Sequence, residues 1–167
     1  MSESKHKPRG WRLWVQRIAS TPGMTAIFSH IVHYVDRPFL RISGGRFSLS
    51  GFLAGWPTVV LTTVGAKSGL PRTTPLVGIE DGENVILIAS NFGRPHHPDW
   101  YYNLKAHPLA TLTLRGRARP YLAREATEGE RQRCWELAAQ VYIGFPLYQQ
   151  RAGQRRIPIL VLVPQEP

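Results

Sequence analysis

The chain lacks several features that would assign a protein to a class at once. It has one cysteine among 167 residues, Cys134, which excludes an intrachain disulfide framework and most cysteine-based metal sites. We expect Cys134 to be a buried, inert thiol on a helix rather than a nucleophile. Every apolar stretch is interrupted before it could cross a bilayer, and no apolar run typical of a secretory signal follows the basic N-terminus. A cytoplasmic protein in a reducing compartment is expected.

Acidic residues are also scarce, with 11 against 21 basic ones and a formal net charge of +10. Such an imbalance favours an anionic partner, which could be nucleic acid, membrane lipid or an acidic small molecule. The basic residues are spread along the chain, and the spaced Arg115, Arg117 and Arg119 suit exposed positions beside a hairpin turn. No nucleic-acid-binding motif accompanies them, so we expect no nucleic-acid partner.

The first 55 residues have the apolar spacing of helices. Residues 11–19 form an amphipathic pattern, and a second helix is predicted over 22–35, where Thr21 is the expected N-cap. One interpretation is a helical layer packed over the rest of the chain or on a second copy in a homodimer. The other is a peripheral contact with the inner face of the cell membrane, because tryptophan beside arginine suits the lipid interface.

From residue 56 to residue 167 the pattern changes to short strands. Strands are predicted over 58–64, 72–80, 85–89, 110–114, 117–124 and 157–163. Helices are predicted over 98–106 and from a capping box at Thr127 and Glu130 to about Val141. Successive hairpins favour an α+β domain with an antiparallel sheet closed as a barrel. The Gly-x-Gly-x-x-Gly turn of a dinucleotide-binding domain is absent.

The segment LTTVGAKSGLPRTTPL, residues 61–76, concentrates groups that bind anions. Its glycines let backbone N–H groups approach an anion closely, while Lys67 and Arg72 supply charge. The glycine spacing is not that of a P-loop. An anion-binding loop and an ordinary polar hairpin loop both remain open at this point.

The segment ASNFGRPHHPDWYYNL, residues 89–104, begins at the end of an apolar strand. Ser90 and Asn91 are therefore expected at the rim of the barrel, where polar groups could meet a flat heterocycle. His96 and His97 are adjacent, and neighbouring histidines seldom bind one ion, so we expect no metal. The aromatic run at 100–102 predicts helix-to-barrel packing, or one wall of a cleft.

Aromatic residues recur every three positions at Tyr142, Phe145 and Tyr148. This spacing predicts an aromatic stripe on one face. It is typical of core packing, and it also suits a lid over an aromatic substrate. In the second case the tyrosine hydroxyls would orient a reducible oxygen or donate a proton.

Together with YQQRAGQRRIPILVL, residues 148–162, these ordered blocks resemble the deazaflavin-dependent nitroreductase family, which uses reduced coenzyme F-420. The resemblance runs from about residue 58 to residue 164. It implies a split β-barrel like that of FMN-binding oxidases, and hydride transfer from the deazaflavin to a quinone or a nitroaromatic compound. An FMN-using split-barrel oxidoreductase and a non-catalytic deazaflavin carrier are the alternatives.

The resemblance also implies roles for individual residues of the chain. The phosphate-containing, glutamate-rich tail of the coenzyme is expected on Lys67, Ser68 and Arg72. The deazaflavin ring is expected against Pro75, Leu76, Ser90 and Asn91, with Trp100, Tyr101 and Asn103 at the pocket edge and Thr74 completing the coenzyme set. Tyr148 first, and Tyr142 second, are expected to orient or protonate the acceptor.

The chain departs from the family pattern in three places. Phe145 stands where a tyrosine is common, and Phe92 precedes Gly93 where two glycines are usual. The N-terminal extension is also longer than the family core needs. These differences are expected to affect the acceptor and the location of the protein more than the choice of coenzyme.

Overall fold

The computed structural model describes residues 57–166. The extension expected over residues 1–55 lies outside this range, as do its two helices, its membrane or dimer contact and the domain boundary placed after it. Within the described residues, no helix is long and apolar enough to span a membrane.

Six strands form one closed antiparallel barrel, in the order β1-β2-β3-β6-β5-β4, with β4 paired back to β1. Their bounds are β1 Thr58–Val64, β2 Pro71–Asp81, β3 Asn84–Ile88, β4 Leu109–Leu114, β5 Arg117–Glu125 and β6 Ile159–Pro164. Closure pairs most of the edges that an open sheet of such strands would leave exposed. The predicted antiparallel barrel is confirmed.

Three helices accompany the barrel in the described part of the chain. They are α1 at Asp99–Ala106, α2 at Glu128–Val141 and α3 at Gly144–Ala152, and a 3₁₀ turn covers Asn91–Gly93. The predicted capping box opens α2: the Thr127 hydroxyl accepts from the Glu130 amide, and the Glu130 carboxylate accepts from the Thr127 amide. Sequence reasoning did not identify α3 as a helix. It lacks a side-chain N-cap bond and carries a proline in its first turn.

The alternation of side chains along the strands separates two cores. On β6, Leu160 and Leu162 face the barrel interior, whereas Ile159 and Val161 pack toward α2 and α3. Trp100 and Leu104 of α1 join the interior cluster. Cys134 of α2 is buried in the outer core, and burial raises the pKa of its thiol, as expected for an inert cysteine.

The long strand β2 changes partner along its length. Residues 71–77 pair with β1, and residues 78–81 pair with β3. Gly78 stands at the changeover, where a Cβ atom would lie 2.5 Å from Cγ1 of Val59. The first half of β2 therefore keeps one edge that is paired with no strand in the described residues. This open edge lies at the end of the barrel that carries the expected site.

Candidate functional site

Two loops lie at the same end of the barrel. Successive antiparallel strands alternate in direction, so the carboxyl ends of β1 and β3 meet there. We call residues 65–70, between β1 and β2, the first loop, and residues 89–98, between β3 and α1, the second loop. Most residues of the expected coenzyme set lie on these loops or beside them.

The first loop closes on itself through short-range bonds. The Gly65 amide donates to the Leu70 carbonyl at 2.9 Å, and the Gly69 amide donates to the Gly65 carbonyl at 2.8 Å. The Ser68 hydroxyl accepts from the Leu70 amide at 3.3 Å and from the Arg72 guanidinium at 3.5 Å. A Cβ atom at Gly65 would lie 2.5 Å from this hydroxyl and 3.2 Å from the Leu70 carbonyl oxygen, so a larger residue there would displace the Ser68 side chain.

Asn103 ties the first loop to α1 from behind. Its Oδ1 accepts from the Ala66 amide at 2.9 Å, and its Nδ2 donates to the Thr63 hydroxyl at 3.0 Å. The Thr63 hydroxyl in turn donates to the Arg72 carbonyl at 3.4 Å. Both polar side chains are buried and hydrogen-bonded. Asn103 therefore supports the loop backbone, and its side-chain amide is used by the protein.

The basic groups on the first loop and at the start of β2 have no acidic partner among the described residues. Lys67 and Arg72 are exposed, and neither forms an ion pair with any residue between 57 and 166. Five other cations in this range are paired with carboxylates, as in the contact of Arg133 with Asp81. The loop thus presents uncompensated positive charge beside glycine-rich backbone, which suits an anionic ligand.

The expected ring residues on β2 lie along its open edge. Thr74, Pro75 and Leu76 are half-buried, and Leu76 packs against the interior cluster. The last pair between β2 and β3 joins Gly78 to Leu87, so Leu76 on β2 and Ala89 after β3 each lie two residues beyond it. The register therefore brings the β2 residues and the second loop to one edge of the barrel.

The second loop has an unusual backbone and an unsatisfied hydroxyl. Asn91, Phe92 and Gly93 have consecutive positive φ angles of 48°, 57° and 78°. Asn91 Nδ2 donates to the His96 carbonyl at 3.0 Å. The Ser90 side chain is only 8% exposed, yet its hydroxyl has no hydrogen-bond partner within residues 57–166. A buried polar group without a partner is uncommon and marks a place where a ligand group can bind.

Sequence reasoning assigned no function to Arg155, which contacts the second loop throughout. Its Nε donates to the Arg94 carbonyl at 2.9 Å and its Nη2 to the Ser90 carbonyl at 2.7 Å. Its Nη1 donates to His97 Nδ1 at 2.9 Å and to the Ala89 carbonyl at 3.4 Å. One signal in the sequence could have pointed to Arg155: it lies in residues 148–162, the third of the segments that resemble the family.

The aromatic residues expected at the edge of the coenzyme pocket differ in burial. Trp100 is buried in the interior cluster, which agrees with the packing interpretation for that residue. The half-buried Tyr101 donates from its hydroxyl to Glu125 Oε1 at 2.7 Å, and Lys105 donates to the same oxygen at 3.1 Å. Burial and the bond to Glu125 raise the pKa of Tyr101 to about 12. Tyr101 is therefore held as a neutral phenol.

The two tyrosines expected at the acceptor lie in the outer core. Tyr142 and Tyr148 are 4% and 3% exposed, and their hydroxyl oxygens are 2.7 Å apart in a hydrogen bond. The Tyr148 ring packs edge-on against Phe92 of the second loop at 5.8 Å, and Phe145 packs against Tyr142 at 5.1 Å. Burial raises the pKa of Tyr148. These surroundings are those of core packing, and the acceptor role stays a prediction.

The described residues contain no metal-binding group, and a recess among them lies away from this site. No group of three His, Cys, Asp or Glu side chains is close enough to hold a metal ion within residues 57–166. A recess of about 460 Å³ lies beside α2 and α3 and contains none of the expected coenzyme residues. It is lined by Glu128, Arg131, Gln132, Trp135, Gln149, Gln154 and Arg156.

Comparison with protein families gives a match that covers most of the chain. The model of the F420H(2)-dependent quinone reductase family matches residues 37–164. The F420H(2)-dependent quinone reductase Rv1261c of Mycobacterium tuberculosis is 33% identical over 109 residues, or 64% of this chain and 72% of that protein. Rv3178 of the same organism is 34% identical over 116 residues, or 70% of this chain and 97% of that protein.

Solved structures agree with the sequence relatives. An F420-H2 dependent reductase, FDR-A, superposes with a TM-score of 0.59 at 37% identity, covering 64% of this chain and 93% of that one. A chain described as a domain-swapped dimer gives the same score and identity and is covered over 79% of its length. A homodimer of the present chain stays a prediction. By the family match and these relatives, the chain belongs to the F420H(2)-dependent quinone reductase family and is an oxidoreductase of the deazaflavin-dependent class.

Proposed function

We propose that this chain transfers a hydride from reduced coenzyme F-420 to a quinone at the end of the barrel formed by the first and second loops. One observation carries the proposal. An unpaired cationic loop stands at the same barrel end as the buried Ser90 hydroxyl, which has no partner in the described residues. A ligand with an anionic tail and a flat polar ring would supply both missing sets of partners.

The residues present fit the tail of such a coenzyme. Arg72 can hold a phosphate with two parallel N–H bonds, while Lys67 contributes a mobile point charge. Ser68 already orients the Arg72 guanidinium through its hydroxyl. The absence of acidic side chains paired with either cation means that binding a phosphate or carboxylate breaks no ion pair in the described structure.

The ring would lie along the open edge of β2. Ser90 offers a hydroxyl there and Asn91 an amide oxygen, and Pro75 and Leu76 offer apolar contact beside unpaired strand backbone. When bound, the coenzyme supplies the hydride from C5 of its reduced deazaflavin. The protein orients the two reactants, excludes water and places hydrogen-bond donors near the charge that develops on the acceptor.

On the acceptor side we assign the orienting role to Tyr148, with Tyr142 behind it. A tyrosine is protonated at neutral pH at its ordinary pKa, and burial raises the pKa of Tyr148 further, so its hydroxyl can donate a hydrogen bond to a quinone oxygen. Phe92 and Phe145 add apolar surface on either side of this pair. Such surroundings suit a quinone ring, and a nitroaromatic compound is the second acceptor class to test.

The test is oxidation of reduced F-420 by the purified full-length chain, followed by absorbance, with menadione as acceptor and a nitroaromatic panel in parallel. We expect turnover that depends on F-420 and on the quinone. Tight binding of FMN with no response to reduced F-420 would overturn the coenzyme assignment. Binding of F-420 without turnover on any acceptor would instead support the non-catalytic carrier.

A further inference from the structure

The guanidinium of Arg155 is committed almost entirely to the protein. Arginine has five N–H donors, and four hydrogen bonds from Arg155 reach the second loop: three to carbonyls and one to a histidine ring. No carboxylate pairs with it among the described residues, and burial lowers its pKa. Too few donors remain for a two-bond grip on a phosphate, unlike at Arg72.

The segment that Arg155 contacts needs outside support. Asn91 and Phe92 are not glycines, and a left-handed conformation costs a residue with a side chain roughly 1–2 kcal/mol. The carbonyls of Ala89, Ser90 and Arg94 bracket this strained stretch, and all three accept from Arg155. These bonds offset the cost of the strain and determine where the Ser90 and Asn91 side chains lie.

The contact with His97 extends the same support toward α1. Arginine has no acceptor, so His97 Nδ1 accepts from Arg155 and the ring proton of neutral His97 is on Nε2. The pKa of His97 is lowered by burial and then by the Arg155 charge, and His96 acts in the same direction while Glu125 opposes it. The Tyr101 and Tyr102 rings complete the surroundings of His97.

We infer that Arg155 is a positioning residue for the coenzyme ring, which holds the second loop so that Ser90 and Asn91 face the open edge of β2. The inference rests on the proposed function, because it concerns the ring site of the same coenzyme. Arg155 contributes no direct bond to the anionic tail, which belongs to Lys67 and Arg72. Salt should therefore weaken the contribution of Lys67 and Arg72 to coenzyme binding more than it weakens that of Arg155.

The experiment compares Arg155→Gln and Arg155→Lys with the matched control Arg156→Gln in the full-length chain. Arg156 is the next residue, is exposed and pairs with Glu128 of α2. The dissociation constant of F-420 is measured by fluorescence at low and high salt. We expect both Arg155 variants to bind about tenfold more weakly, the loss of roughly one well-made hydrogen bond. Their salt dependence should equal that of the unaltered protein, and the control should bind unchanged.

An NMR titration of the His97 ring keeps the inference testable if coenzyme affinity is too low to measure in a variant. Loss of the Arg155 charge should raise the pKa of His97 in Arg155→Gln and leave it unchanged in Arg156→Gln. Unchanged affinity in both Arg155 variants would overturn the inference while leaving the proposed function intact. A smaller salt dependence would also overturn it, because Arg155 would then contact the tail. An unaltered protein that does not bind F-420 would reject the proposed function itself.

Discussion

Both loops of the site contain short-range hydrogen bonds, but they differ in the distant residue that supports them. The first loop is closed by bonds between residues at most five apart, together with one support from Asn103. The second loop is held by Arg155, whose hydrogen-bond partners in the loop lie 58 to 66 residues earlier in the chain. The first loop can form as soon as its hairpin forms. The second requires β6, because Arg155 directly precedes that strand and β6 pairs with β3.

This difference matches the two parts of the expected ligand. A charged, flexible tail tolerates exposed cations that act over some distance, whereas a flat ring needs hydrogen-bonding groups in defined positions. A loop restrained by distant residues is organised before the ligand arrives, which lowers the entropy cost of binding. The comparison predicts that changes in the second loop affect the stability of the protein and the placement of the ring. Changes in the first loop should affect the electrostatic attraction of the coenzyme tail.

The largest effect is expected from Gly93→Ala, with Gly69→Ala as its matched control. Both glycines have positive φ, but a Cβ atom at Gly93 would lie 2.8 Å from the Tyr148 carbonyl oxygen, whereas Gly69 has open space around it. We expect Gly93→Ala to lower the free energy of unfolding by about 3 kcal/mol and Gly69→Ala by about 1 kcal/mol. Urea unfolding measures both. Equal losses would show that packing on α3 contributes nothing to the second loop.

Next in size are Lys67→Ala and Arg72→Ala, which test the first loop as the tail site. Each should raise the dissociation constant of F-420 by roughly one to two powers of ten, since a charge-assisted bond is worth about 1.5–3 kcal/mol. Both variants should also show a weaker salt dependence of binding. Arg117→Ala is the control, since Arg117 is an exposed arginine on β5, outside the two loops. Unchanged affinity in both variants would reject the tail assignment.

Asn103→Ala should uncouple the first loop from α1. The change removes two hydrogen bonds, from the Ala66 amide and to the Thr63 hydroxyl, and each is worth about 1 kcal/mol, or about 2 kcal/mol together. The free energy of unfolding should fall by that amount, and F-420 affinity should fall with it. Lys105→Ala, on the same helix, removes only an exposed ion pair and should cost below about 1 kcal/mol. If the two variants were equally stable, the first loop would not depend on Asn103.

Among the variants of the site itself, the smallest effect is expected for Tyr148→Phe. The variant loses the buried bond to the Tyr142 hydroxyl, worth about 1 kcal/mol in thermal or urea unfolding. If the hydroxyl orients the acceptor, turnover with menadione should also fall while F-420 affinity stays intact. Turnover equal to that of the unaltered protein would reject the acceptor role of Tyr148. Tyr142 and Tyr148 would then serve only in packing.

Much of the fold was predictable because its signals are local. The turn at Gly116, the capping box at Thr127 and the β-rich run of β1 each depend on neighbouring residues, and the structure contains all three. The helix α3 was missed because its nine residues offer no capping side chain and include Pro146. The aromatic stripe was recognised, but its spacing did not distinguish a core from an acceptor face.

By itself, the sequence determined the antiparallel strands, the charge of the first loop and, by resemblance, the deazaflavin-dependent class that the family match confirms. Only the tertiary structure decided that Arg155 holds the second loop, that Ser90 is buried without a partner in residues 57–166, and that the Tyr142 and Tyr148 hydroxyls bind each other. The physical reason is sequence separation. Hairpins and caps arise from bonds between near neighbours, whereas the partners of Arg155 become neighbours only when β3 and β6 pair in the closed barrel.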